Sequence, residues 1–202
     1  MADPALSGGG VTWKVLLRKL VHISGALILP VRWYMGLQFA QTVIIGLAIL
    51  YLLSEALRLS GKELPFFTWL TRTGAYDTEQ VGVVETPLWF AAGVLTTLSF
   101  FPFKYALIGV ITLAVGDSVA SLVGLSSKRR HPIPYNTSKS FEGTLAGIAS
   151  AFLVCCLFTN PVDSMVGCVA GMLVESLSLK LNDNVTIPIS AATVVYALEL
   201  FF

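Results

Sequence analysis

Residues 105–124 read YALIGVITLAVGDSVASLVG, twenty positions whose one acidic or basic side chain is Asp117. About 20 mainly apolar residues is the length that crosses a bilayer core. A carboxylate at that depth is costly enough to be read as functional by default. The stretch therefore decides the fold, helices in a membrane, and poses the question of which cation Asp117 faces. The rest of the chain agrees. Its 202 residues are 55% hydrophobic and 12% charged, with mean hydropathy +0.77, where soluble domains carry roughly 25% charged residues. A soluble enzyme and a basic nucleic-acid binder are both excluded.

Working outward, apolar segments fall at about 13–31, 36–57, 86–102, 105–124, 142–159, 164–179 and 185–201. They predict an all-α polytopic bundle of about seven transmembrane helices. One catalytic domain spans 13–202, after a disordered cytoplasmic tail over 1–12. Basic residues ahead of the first segment resemble a signal peptide, but the segment is long and lacks a small-x-small cleavage site, so it reads as a retained helix. Phe66, Phe67, Trp69 and Leu70 among Lys62, Glu63 and Arg72 predict a short helix lying in the interface. Cys155, Cys156 and Cys168 all fall in apolar segments and read as packing residues.

Charge is lopsided. Of 13 basic residues only Arg32 and Lys104 fall on the far side, leaving 13 − 2 = 11 on the near side. Of 12 acids only Asp163 and Glu199 are distal, leaving 12 − 2 = 10. The basic excess makes the near side, with the N-terminus, cytoplasmic. That rule does not require the matching acids. Both signs together beside lipid suggest a site that handles polyanions with metal help. A transporter would show polar residues through the midplane and repeated halves, and neither is visible. A scaffold has no use for Asp117.

Candidate residues follow from position. Arg18, His22 and Gly25 share one helix face, with Lys19 beside them. Asp117 lies about two turns inside its helix. The loop from Ser126 to Ser140 carries Arg130, His131 and Lys139 and leads into a helix through Phe141-Glu142-Gly143. Ser140 is placed to cap that helix, whose free N–H groups attract anions. Lys139 adds a point charge suited to phosphate, although the glycines of a Walker A loop are absent. Asp117, Glu142, Glu175 and Asp183 supply oxygen ligands of the kind Mg²⁺ takes alongside substrate phosphates. On the same side Glu55 is placed to pair with Arg58, and Glu79 and Glu85 are weaker candidates. Stripes of small residues (Gly143, Gly147 and Ala151; Gly167 and Gly171; Gly116, Ala120 and Gly124) predict close helix packing.

Taken in order, Arg18-Lys19-x-x-His22-x-x-Gly25, Gly116-Asp117-x-x-Ala120, Lys139-Ser140-x-Glu142-Gly143-Thr144, Glu175 and Asp183-Asn184-x-Thr186-Ile187-Pro188 resemble the CTP-dependent lipid-alcohol kinases. That family covers polyprenol/dolichol, phytol and yeast-type diacylglycerol kinases. The resemblance runs from residue 18 to 188 and departs at Ser126-Ser127-Lys128, where relatives often carry a glycine. It implies phosphoryl transfer from CTP to a membrane lipid hydroxyl, polyprenol or dolichol foremost, with diacylglycerol and phytol as alternatives. Implied roles are catalysis for Asp117, His22 and Lys139, and phosphate binding for Arg18, Lys19, Arg130, Lys139, Ser140 and Gly143. Asp117, Asp183, Glu142 and Glu175 are the implied ligands of Mg²⁺ or another divalent cation. The related phosphatidate cytidylyltransferases are the alternative, but their Asp-Arg-x-x-Asp signature is missing, since Asn184 follows Asp183.

Overall fold

The computed structural model describes residues 11–76, 78–177 and 179–201. Ten of the twelve residues of the expected tail, 1–10, lie outside that set. Helix α1 (Trp13–Ser24) starts where the Thr12 hydroxyl accepts the Val15 N–H at 3.4 Å. A tighter turn at Gly25–Leu27 joins it to α2 (Ile28–Met35), so the first expected span is a divided helix. Gly36, at φ 90°, reverses the chain into α3 (Leu37–Leu59), a backbone angle that favours glycine. The expected interfacial helix is α4 (Pro65–Gly74), with Phe66 and Trp69 exposed and Thr68 and Thr71 buried.

Next come α5 (Thr86–Phe100), α6 (Phe103–Ile111) and α7 (Ser118–Ser126), then α8 (Phe141–Cys155), α9 (Pro161–Ser176) and α10 (Asp183–Phe201). Among the described residues, three helices are long and apolar enough to cross a membrane: Leu37–Leu59, the continuous column Phe103–Ser126, and α10. Helices α5 and α8 are apolar but shorter. The architecture is a mostly helical membrane bundle.

Two local features depart from the all-α expectation. The column formed by α6 and α7 is interrupted by a π-helical turn at Thr112–Asp117. The loop after α7 folds into a hairpin, β1 (Pro132–Ile133) antiparallel to β2 (Asn136–Ser140), with a bulge between Pro132 and Ile133. The buried Ile133 side chain and an Arg130 guanidinium bonded to the carbonyls of Thr137 (3.1 Å) and Ser138 (2.5 Å) hold the hairpin closed.

The α6–α7 column is the core, with Ile108, Val110, Leu113 and Ala114 fully buried. Its lower half packs on α10 and its upper half on α8 and α1. Small residues let the backbones meet: a Cβ on Gly143 would lie 2.6 Å from the Ala120 carbonyl oxygen. Pro188 inside α10 has no N–H to give the Asn184 carbonyl four residues earlier. That oxygen instead faces Gly93 of α5, where a Cβ would stand 2.0 Å away. Cys155 and Cys168 are buried, free, and in contact at 3.9 Å.

Three of the four distal charges gather at one end, while Arg32 lies over the Phe103 ring, 5.4 Å from its centroid. Lys104 lies 2.6 Å from Asp163 and also pairs with Glu199, which accepts the Tyr105 hydroxyl. This cluster ties α6, α9 and α10 together.

Candidate active site

Asp117 ends the π turn, which faces α1 and α8. Such turns are rare and recur at functional sites. Lys19 of α1 donates to Asp117 Oδ2 at 2.8 Å. His22, one turn on, sits with Nε2 3.9 Å from the same oxygen and its ring edge-on to Phe90, centroids 4.5 Å apart. The cation expected for Asp117 is therefore Lys19, with His22 buried beside it and its Nε2 making no hydrogen bond.

The hairpin delivers the second group. The Tyr135 hydroxyl meets Ser176 Oγ at 3.0 Å, and the Asn136 side-chain amide donates to the Ser176 carbonyl at 3.1 Å, fastening β2 to the end of α9. Lys139 is thereby turned inward, where its ammonium pairs with Glu175 and lies 3.4 Å from Asp183. Burial alone would lower the Lys139 pKa, but the carboxylates of Glu175, Asp117 and Asp183 outweigh it and hold the ammonium well above the ordinary lysine range. Ser140 caps α8, accepting the Gly143 N–H at 3.2 Å. A polar pocket of about 100 Å³ opens between α7, β2 and α8, lined by Arg130, Lys139, Ser140, Gly143 and Glu175.

Other expected residues are placed differently. Arg18 does not turn toward Lys139. It bonds Glu79 at 3.1 Å and 3.2 Å and Thr86 at 3.0 Å, and its guanidinium lies 5.0 Å from the Tyr76 ring centroid. Nor do the four acids close on one point. Glu142 turns to His131, accepting its backbone N–H at 3.1 Å and pairing with its ring. Among the described residues no three His, Cys, Asp or Glu side chains gather into a metal-sized group, because Lys19 and Lys139 stand among the acids. One carboxylate edge is still open: Glu175 Oε2 is buried without a hydrogen-bond partner, as are the Ser118 and Thr144 hydroxyls.

On the other side of His22 lies an apolar cavity of about 500 Å³. Its walls come from α1, α2, α3, α4 and α5, and Arg18, Glu79 and Thr86 stand at its polar end. The connection carrying Glu79 is strapped to α3. Buried Glu55 accepts the Val84 N–H at 3.0 Å, and Arg58 donates to Glu55 and to the carbonyls of Gln80 and Gly82. The expected Glu55–Arg58 pair is present, whereas sequence reasoning ranked Glu79 low and missed Thr86.

Comparison with known proteins points one way. The chain is 28% identical over 195 residues to a phytol kinase of Synechocystis sp., covering 89% of this chain and 78% of that protein. It is 26% identical to a chloroplastic farnesol kinase of Arabidopsis thaliana, covering 91% of this chain and 65% of the other. It is 28% identical to the dolichol kinase of Saccharomyces cerevisiae over 85% of this chain, which spans 34% of that longer protein. No family model matches, and no solved structure matches. The relatives are lipid-alcohol kinases, in line with the motif resemblance.

Proposed function

We propose that this protein transfers the γ-phosphoryl group of CTP to the hydroxyl of a membrane isoprenoid alcohol, at the charged end of the bundle facing the cytoplasm. The observation that carries the reading is the position of Asp117. It is held by Lys19 and flanked by His22, between a polar pocket at Lys139 and an apolar cavity beyond His22. A water-soluble triphosphate and a lipid-soluble alcohol approach such a point from opposite sides. The relatives' names support the acceptor class, since phytol, farnesol and dolichol are all isoprenoid alcohols. CTP as donor rests on the motif resemblance.

The chemistry assigns each side chain a task. The acceptor oxygen forms a bond to the γ-phosphorus as the bond from that phosphorus to the β–γ bridging oxygen breaks, leaving CDP. The acceptor proton passes to Asp117 directly or through His22, which lines the cavity and whose Nε2 lies 3.9 Å from Asp117 Oδ2. Lys139 and Arg130 neutralise phosphate oxygens, and Lys19 keeps Asp117 oriented. Such catalysis is mostly positioning and charge neutralisation. Among the described residues the acids do not by themselves gather into a metal-sized group; with triphosphate oxygens supplying most of the ligands, Asp117, Asp183 and the open Oε2 of Glu175 are the residues that would hold a divalent cation. Bound there, Mg²⁺ would offset triphosphate charge.

The test is purified protein in lipid nanodiscs with labelled CTP or ATP, Mg²⁺ and a panel of lipid alcohols. The expected products are a lipid monophosphate and CDP. Release of pyrophosphate with a CDP-lipid would instead make it a cytidylyltransferase.

A further inference from the structure

The apolar cavity has three properties that together define an occupant. First, its polarity is graded along its length. Arg18, Glu79 and Thr86 lie at the end near His22, whereas the opposite end is bounded by aliphatic side chains such as Val31, Val43 and Ile44. Helices α1 and α5 run away from the charged end and α3 runs toward it, so these aliphatic residues lie farthest from Asp117. Second, the cavity is open to the side. Helix α1 packs on α4 and α7, and α3 packs on α2, α4 and α5. Between α1 and α3 the lining residues Val21, Leu27 and Leu47 are 39%, 68% and 55% exposed, on surface that in a bilayer meets lipid. Third, its volume of about 500 Å³ lies within the roughly 300–1,000 Å³ that encloses one small-molecule ligand.

A hydroxyl reader at one end, a hydrocarbon wall along the rest and a door to the bilayer describe a seat for an amphiphile with a very small head. We propose that this cavity holds the acceptor's tail and admits one short aliphatic chain. It is entered sideways between α1 and α3, with the acceptor hydroxyl turned toward Arg18, Glu79, Thr86 and His22. A two-chain lipid would leave one chain in the cleft. A polyprenol of many isoprene units would seat only its hydroxyl-bearing end, the remainder passing out between the helices. Diacylglycerol is thereby disfavoured, and chain length is sensed by the wall at Val43 and Ala48. Glu79, which holds Arg18 at this polar end, is a positioning residue for the acceptor. The inference rests on the kinase reading for its hydroxyl chemistry and deepens it by naming the acceptor's seat.

Two measurements test it. In the first, the wild-type protein in nanodiscs is photolabelled with a single-chain isoprenoid alcohol carrying a diazirine at its tail end. Labelling of α1–α2 and α3 that is competed by unlabelled alcohol is expected. Label spread evenly over the outward faces of α8, α9 and α10 overturns the site. In the second, Val43→Phe and Ala48→Leu fill the cavity at two depths. Each is expected to lower the ratio of long-chain to short-chain acceptor turnover by on the order of tenfold, as small changes in apolar pocket shape do. A Tm and a nucleotide KM near wild type separate the effect from misfolding. An unchanged ratio in both variants overturns the inference. Saturable labelling at these helices without phosphoryl transfer from any nucleotide upholds the seat and sinks the kinase reading instead.

Discussion

The two ends of the bundle both hold ionic clusters, and they differ in completion. At one end Lys104 bridges Asp163 and Glu199 while Tyr105 donates to Glu199, so the acids and the cation answer one another. At the other, Lys19–Asp117 and Lys139–Glu175–Asp183 leave His22 Nε2 and Glu175 Oε2 buried with no hydrogen bond. Buried polar atoms are normally satisfied, and each exception requires a reason. A closed cluster staples helices. An open one is prepared to take a ligand, and its unmet valences mark where the ligand goes.

Breaking the open cluster should cost far more activity than breaking the closed one. Asp117→Asn keeps the shape and removes the charge, and turnover should fall on the order of a thousandfold, measured by lipid phosphate formation with expression and melting unchanged. Retention of most activity would remove Asp117 from the chemistry. Lys139→Met should lower kcat/KM for the nucleotide by roughly 10²–10³ fold, as loss of one positioned charge-stabilising donor does. Its acceptor KM should stay near the wild-type value. Glu79→Gln releases Arg18, and the acceptor KM should rise by about tenfold with kcat less affected, the signature of lost ground-state binding. An effect confined to kcat would move Arg18 back to the phosphates. The smallest change is expected from Lys104→Met at the closed end: near-normal turnover, with Tm lower by about 2–4 °C for a loss near 1 kcal/mol. A large activity loss there would erase the distinction between the ends.

Much of this was legible in the chain. Asp117 stood alone in an apolar run, and the charge split sent Lys139, Glu175 and Asp183 to Asp117's side of the membrane and Lys104, Asp163 and Glu199 to the other. The small-residue stripes marked where Gly143 meets Ala120, and the aromatic cluster at Phe66 marked α4. What escaped left no periodic trace: the π turn is one irregular stretch of a helix, the β1–β2 hairpin is too short to show an alternation, and the Arg18–Glu79 pair joins residues 61 positions apart. Arg18 and Lys19 are adjacent letters with the same charge, yet one faces Glu79 and the other Asp117. Adjacent residues on a helix point about 100° apart, and only the packing of α1 decides which neighbour each one meets. Glu79 lies in a connection without pattern, placed by the Glu55–Arg58 strap.

The widened turn at Thr112–Asp117 also acts as a phase shifter. One surplus residue rotates everything after it by about 100° relative to an uninterrupted α-helix. The same rod can then press one flank against α10 below and a different flank against α8 and α1 above. Deleting a single residue there would swing the carboxylate away from its lysine while leaving hydropathy intact. The site's geometry is thus stored partly as a count of residues, in which no individual side chain is the operative letter.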